Sequence, residues 1–388
     1  MRNSFLLPVI FFIIFSCNQK SDEEKSDQNS DLKNITLEKL DSIQIEYLGN
    51  PRVHDIDPKS GTVLFMEHGD TFEDIYVADF EGNIRHSYTK AGDMPDTYGR
   101  LFAPLKIMGE NEYMAYGING LLTYDFSGKL LSRTKIKDIT PYNFARISMG
   151  YALGVTAQSV IYINQGSRQT DYSDLNLYEE VNTLVSIDRD TGEKKELMQI
   201  PKTSLYRSGK HFYRDAWAPI FEFSDDKLLI VFGGEPKIYV FENTPSFDLV
   251  KEIPLNIPSY NFFEGERSYN PDPLMYLFSS GTMQTLTWVN GYYLVGYFPG
   301  YDKQDLAIYS ENKSPEESRE FGERMLKKYL HRVAIFDSLG NLVSDFAPST
   351  FDPRSIILRD GQLWVMEKPD PEVEKDYFRL YRVELKSE

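Results

Sequence analysis

The sequence holds one cysteine, Cys17, in 388 residues. A single thiol forms no intramolecular disulfide and cannot supply a thiolate metal cluster, so neither a disulfide scaffold nor a zinc knuckle is open to this chain. Positive charge is also short, with 42 Lys and Arg against 59 Asp and Glu, a formal net charge of −17. A surface of that sign repels phosphate backbones and argues against nucleic acid as a partner. The five histidines, His54, His68, His86, His211 and His331, are scattered without a strong metal-binding spacing, so no cofactor is expected and calcium has no support from the pattern. Serine-nucleophile elbows and phosphate-binding glycine loops are missing too.

Aromatic residues are plentiful, with 26 Tyr and 25 Phe, and such residues suit pleated, half-buried surfaces. At the N-terminus Arg2 precedes an apolar run from Phe5 to Phe15, broken only by Pro8, and Ser16 and Cys17 close it. A run this short is the core of a signal peptide, because crossing a bilayer takes roughly 20 residues. Ser16-Cys17 after that core resembles a bacterial lipobox, which implies cleavage after residue 16 and lipid, palmitate included, on Cys17. Residues 17–36 then read as the lipidated cysteine and a polar, disordered tether. Lys20-Ser21-Asp22-Glu23-Glu24 resembles the acidic signal that sends some lipoproteins to the cell surface. The expected location is the outer membrane, on its periplasmic or its outer side.

From residue 37 onward the chain repeats, and a repeat is the first thing to settle. Six segments carry an apolar strand, a tight polar turn and a second strand: 74–88, 120–134, 182–197, 237–253, 331–346 and, cut short, 377–385. Gly82, Gly128, Gly192 and Gly340 stand where such a turn needs positive φ. Each segment follows another strand pair whose second member is aliphatic or aromatic, as in TVLFMEH and YYLVGYF. Four strands in each of six units make an all-β, six-bladed propeller over residues 37–388. The last unit lacks its fourth strand, and Leu37–Gly49 has the alternation to supply it, closing the ring and removing a free edge. A lipobox followed by these blades resembles the six-bladed propeller lipoproteins of Gram-negative bacteria, and within them a family known only as a domain of unknown function. That resemblance implies a fold and a location but no chemistry.

Turns between first and second strands, such as Asp57–Gly61 and Arg359–Gly361, are short, and so are those between third and fourth strands. Both sets emerge on one face. The opposite face carries long connections: 90–104, 137–145, 166–181, 201–217, 256–280 and 299–330. The last holds the single expected helix, begun by Ser314-Pro315-Glu316-Glu317 with an N-cap, a proline at N1 and a capping-box glutamate. Function gathers on loops held by a rigid scaffold, so ligand contact is expected on this long-loop face.

Arg52 and Arg354 fall at matching positions of adjacent first strands, whose starts on the long-loop side would line the channel mouth, and could clamp an anion there or simply pair with Asp55, Asp57 or Asp352. His54 beside Asp55 could suggest acid–base or metal chemistry, but neighbouring residues on a strand point to opposite faces. Two aromatic stretches, Tyr206–Trp217 and Tyr260–Asn270, mix rings with polar groups in the manner of sugar or peptide sites, with Trp217, Arg267 and Tyr269 as candidate contacts; packing onto their own domain is the alternative. No residue is assigned a catalytic role. The leading expectation is a ligand-binding or assembly propeller of the envelope, held to the membrane by lipid and contacting a carbohydrate, a peptide or an envelope protein. A propeller enzyme acting on a sugar or lactone through a channel-bound metal is the alternative, supported by fold analogy alone.

The anchor has a direct test. Cys17→Ala abolishes incorporation of a fatty-acid analogue and shifts the protein out of the membrane fraction; unchanged labelling and fractionation would show that Cys17 carries no lipid.

Overall fold

The computed structural model describes residues 35–67, 74–137, 147–151, 153–164, 170–224, 226–244, 246–270, 274–311, 313–370 and 373–387. The signal segment, Cys17, the tether up to residue 34, His68 and most of the loop at 137–145 lie outside the described residues.

Strand β1 (Ile35–Glu46) comes first and belongs to the last blade. Blade one follows as β2 (Pro51–Asp57), β3 (Thr62–Glu67), β4 (Asp74–Asp79) and β5 (Ile84–Thr89). Blade two is β6 (Lys106–Gly109), β7 (Glu112–Gly117), β8 (Gly120–Asp125) and β9 (Leu130–Thr134). Blade three is β10 (Gly154–Val155), β11 (Ser159–Ile163), β12 (Asn182–Asp188) and β13 (Lys194–Gln199). Blade four is β14 (Pro219–Ser224), β15 (Lys227–Phe232), β16 (Lys237–Glu242) and β17 (Leu249–Pro254). Blade five is β18 (Thr282–Val289), β19 (Tyr292–Phe298), β20 (Arg332–Asp337) and β21 (Leu342–Phe346), and blade six has β22 (Ile357–Arg359), β23 (Gln362–Met366) and β24 (Tyr377–Ser387). Every sheet is a four-stranded antiparallel meander, and the sixth runs β22-β23-β24-β1. The six-bladed propeller read from the repeats is the observed fold.

The closing strand pairs with β24 from Ile35 opposite Ser387 to Glu46 opposite Tyr377, with one irregularity at Lys39/Asp41. It begins two residues before the boundary expected from the sequence. Ile43 and Ile45 are buried beside Val53, Phe65 and Ala78 of blade one, while Ile35 joins Val333 and Ile335 of blade five. Burying one such side chain contributes about 1.5–3 kcal/mol. The exposed pairs Asp41–Arg382 and Glu38–Lys386 add little by comparison.

The repeated turn between third and fourth strands has one construction in four blades. Asp79, Asp125, Asp188 and Asp337 accept from backbone N–H groups of the turn, and Gly82, Gly128, Gly192 and Gly340 follow with φ between 68° and 91°. Space matters as much as φ. A Cβ on Gly82 would meet the Gln44 carbonyl at 2.0 Å, and one on Gly192 the Lys135 carbonyl at 2.1 Å. The glycine thus lets each hairpin tip seat against the outer strand of the preceding blade.

Where the sequence suggested one helix, the described residues hold four: α1 (Leu177–Glu180), α2 (Leu274–Ser279), α3 (Lys303–Tyr309) and α4 (Pro315–Lys328). The first three are short and carry too few turns to leave a periodic signal. Helix α4 has the expected capping box, with the Ser314 hydroxyl accepting from Glu317 N and the Glu317 carboxylate accepting from Ser314 N. It buries Phe321 and Met325, and Phe321 packs on Tyr301 and Tyr309.

Deleting residues 37–49 removes the closing strand and its buried isoleucines. That variant unfolds at a much lower temperature or aggregates, whereas deleting residues 18–34 leaves the unfolding midpoint unchanged; equal midpoints in a calorimetric scan would contradict the closure.

Candidate functional site

The axial channel is blocked at its long-loop end. Residues 147–151, on the connection from blade two to blade three, cross the axis there: Met149 N donates to Val53 O at 2.7 Å, and the Met149 side chain is buried with Val53 and Trp364. Gly150, at φ +99°, lies against blades five and six, where a Cβ would come within 2.3 Å of Arg354 O and 3.0 Å of Thr285 Cγ2. What remains is a pit of about 740 Å³ with Gly150 and Tyr151 at its base and Lys59, Glu110, Thr156, Ala157, Asn243 and Asp360 on the short turns around it. The cavity therefore faces the short-turn side, opposite to the face expected from loop length.

One wall is charged. A bulge between Val53 and Asp55 breaks the alternation of β2, so His54 and Asp55 both reach the first strand of blade two. His54 Nδ1 accepts from Leu105 N at 3.0 Å, and Asp55 Oδ2 accepts from Ile107 N at 2.8 Å. Arg359, at the end of β22, crosses from blade six: Nη2 donates to Ile107 O at 2.7 Å and Nε to Ile56 O at 3.2 Å. The same guanidinium lies 3.4 Å from Asp55 and 3.7 Å from Asp57. Lys106 Nζ stands 3.5 Å from the other oxygen of Asp55. Burial pulls the Lys106 ammonium below the usual lysine range, opposed by the Asp55 charge. Burial also lowers His54 to about 3, helped by the charge of Arg52, so the imidazole is neutral. Its Nε2 is buried and has no hydrogen-bond partner among the described residues. At the rim Lys59 pairs with Asp360 at 2.5 Å.

The wall on blade four differs. Glu222, on β14, accepts from Trp288 N at 3.0 Å. Burial raises its carboxyl to about 8, against the lowering effect of that hydrogen bond and of Thr287. At neutral pH the group is mostly protonated. Phe223 beside it lies over Gly154, where a Cβ would approach the ring to 2.3 Å.

The remaining expected residues lie elsewhere. Arg354 is not on a strand but on a 3-10 turn, Pro353–Ser355, where Nε and Nη2 hold both Asp352 oxygens at 2.7–3.0 Å. Arg52 lies toward the loop end of β2, and neither arginine lines the cavity. The two aromatic stretches meet through paired backbone hydrogen bonds between His211 and Glu266, and Phe263 packs on Phe212, Tyr213 and Tyr276. Trp217 is 1% exposed inside this cluster and offers no surface to a ligand. Tyr269 edges His211, and Arg267 is exposed. Elsewhere His331 meets Gln284 at 2.8 Å and His86 is exposed. Among the described residues no three of His, Cys, Asp and Glu come together as metal ligands. The sequence reading named Asp55 and Asp57 as possible partners of the arginines but gave Lys106 and Arg359 no role in a site. A search of the first strands for bases would have found both.

Glu222 gives a stability signature with a definite sign. Its native carboxyl titrates near 8 and an unfolded one near 4.5, so the native state holds the proton more tightly. The resulting stability is full below about pH 4.5 and is lost as pH rises toward 8. Glu222→Gln escapes that loss and gains at least about 1 kcal/mol on wild type between pH 5 and 8; parallel denaturation curves across that range would refute the assignment.

No family model and no curated protein matches the chain. Among solved structures, a DUF4221 family member from Bacteroides vulgatus superposes with a TM-score of 0.66 at 11% identity, covering 92% of this chain and 100% of that one. An exported protein, so named, of Bacteroides fragilis gives 0.50 at 12% identity, covering 93% and 98%. At these identities the likeness is one of fold: the chain shares its six-bladed propeller with a member of a family of unknown function.

Proposed function

We propose that this protein is a binding propeller of the bacterial envelope, and that it takes a small polar molecule into the axial cavity from the short-turn face. The observation that carries the reading is the blind pit itself, closed by Met149 and Gly150 and walled by Asp55, Asp57, Lys106, Arg359 and Glu222. A volume of about 740 Å³ lies within the range of small-molecule sites, roughly 300–1,000 Å³. Donors and acceptors stand beside Phe221, Phe223, Leu286 and Ile107, a mixture that orients a ligand while desolvating it. Buried charge is expensive to maintain, and gathering it around an open pit suits recognition better than stability alone. The lipobox-like Ser16-Cys17 supports anchorage to the outer membrane. No helix among the described residues is long and apolar enough to cross a membrane.

Thermal unfolding against free sugars, amino sugars, amino acids and short peptides tests the reading. At a ligand concentration of 100 Kd the stabilisation is about 2.7 kcal/mol, a shift of several degrees. Ala157→Trp, at the exposed rim, reduces that shift, while Arg267→Ala on the long-loop face leaves it intact. The reverse pattern would move binding to the other face and overturn the proposal, as would the absence of a shift with every class.

A further inference from the structure

The cavity's carboxyl groups are not equivalent. Asp55 has Lys106 and Arg359 within 3.5 Å, Asp57 has Arg359 at 3.7 Å, and Asp360 has Lys59 at 2.5 Å. Glu110 is exposed at the rim. Glu222 is partly buried, lines the pit, and has no cation within ion-pair distance among the described residues; it receives the Trp288 N–H. Three of the cavity's cations, Lys59, Lys106 and Arg359, are committed on the wall formed by blades six, one and two, where Arg359 also donates to two carbonyls. The fourth, Arg189 on the blade-three turn, donates to the Thr156 and Ala157 carbonyls at the rim. A carboxyl placed in a low-dielectric wall without a cation is costly when charged. It becomes favourable once a positive group arrives from outside.

From this arrangement, and resting on the binding role proposed above, we infer that the cavity takes a ligand bearing an organic ammonium group, and that Glu222 is the carboxylate that receives it. The surroundings fit that chemistry. Leu229 lies opposite Glu222 on β15 and Leu286 lines the pit beside it, an apolar setting that strengthens a carboxylate–ammonium pair. Phe221 and Phe223 point to the other face of β14, where Phe223 meets Gly154 of blade three. Among the described residues the segments packed against this stretch carry no ionisable group: β15 brings Leu228–Ile230 opposite it, β18 brings Leu286–Trp288, and β10 brings Gly154 and Val155. Lys227, at the start of β15, lies opposite Ser224 and pairs with Asp226 and Glu242. The other charged groups of the pit are Asp55, Asp57, Lys106 and Arg359 on the opposite wall and Lys59, Glu110, Arg189 and Asp360 around the rim. An ammonium at Glu222 leaves that opposite wall, with its own positive groups, for an oxygen-rich end of the same molecule.

The proton balance is explicit. Glu222 carries its proton at pH 7, being held near 8 by burial. When R–NH3+ docks, the O–H bond of the carboxyl breaks, the carboxylate pairs with the intact ammonium, and one proton passes to the buffer. Affinity for an ammonium ligand therefore rises with pH up to about 8. A neutral ligand that merely accepted a hydrogen bond from the protonated carboxyl would release none.

Three probes of one shape test this: benzylammonium, benzyl alcohol and benzoate, titrated by calorimetry at pH 7 in buffers of different ionisation enthalpy. Benzylammonium binds most tightly of the three and releases close to one proton. Glu222→Gln weakens it roughly tenfold or more while leaving benzyl alcohol unaffected. A measurement on the wild-type protein stands beside the variant: the Glu222 side-chain carbon resonance, followed by NMR, titrates at lower pH when benzylammonium is saturating. Equal binding of alcohol and ammonium without proton release would overturn the ammonium site and leave the binding cavity standing. Ammonium binding that survives Glu222→Gln unchanged, or failure of benzylammonium to bind, would overturn it as well. The cavity reading is judged separately, by Ala157→Trp against Arg267→Ala.

Discussion

The pairing of β1 with β24 is the contact on which the rest depends. Five blades are continuous meanders, but the sixth is completed only when residues 35–46 pair with residues 377–387. The two partners lie more than 300 residues apart, so the ordering of almost the entire chain precedes any gain from their contact. The pairing must therefore be strong once made. It runs from Ile35 to Glu46 with one irregularity at Lys39/Asp41, and its buried isoleucines reach into blade five at one end and blade one at the other. The strand acts as an outer edge of one blade and as packing for two neighbours. Gly82 shows how closely the joint is fitted, since its missing side chain is where the Gln44 carbonyl sits.

A closed ring creates a channel, and the connections decide which end stays open. Here a single turn, Met149 to Tyr151, is laid across the loop end and touches blades one, five and six. The long connections of blades three to five spend their aromatic rings on each other and on the blade edges, as Phe212, Tyr213, Phe263 and Tyr276 do. Loop length is thus a poor guide to the working face in this molecule. The short turns, which need little sequence to build, leave the opposite mouth clear.

Legibility followed the same division. Strand alternation, the aspartate–glycine turns at Asp79, Asp125, Asp188 and Asp337, the spare strand at residues 37–49 and the capping box at Ser314 are local patterns with fixed geometry, and each was readable before any coordinate. The cavity was not, for two physical reasons. The bulge at Val53/Asp55 places His54 and Asp55 toward the same neighbour, whereas strict alternation sends them to opposite faces. The arginine of the channel is Arg359, inside what looked like an ordinary Arg-Asp-Gly turn, while Arg354 is turned aside by Asp352 two residues before it. The first error comes from register, which a shift of one residue reverses; the second comes from taking the 3-10 turn Pro353–Ser355 for the start of a strand. Trp217 illustrates a third: an indole in a long loop covers enough apolar area that burying it within the domain outweighs leaving it for a ligand.

The two walls of the pit obey different electrostatic rules, and that difference is informative beyond either wall alone. Around Asp55 the protein has supplied every counter-charge itself, using three blades to bring Lys106, Arg359 and the Ile107 amide to one carboxylate. Such a cluster ties three blades together, although taking its charges out of water still costs free energy. Glu222 receives the Trp288 amide but no counter-charge among the described residues. Its carboxyl takes up a proton instead, and native stability above about pH 5 is lower for it. A scaffold that compensates its charge so completely on one side has the means to do so on the other. The uncompensated carboxyl therefore marks the part of the cavity whose partner comes from outside the chain.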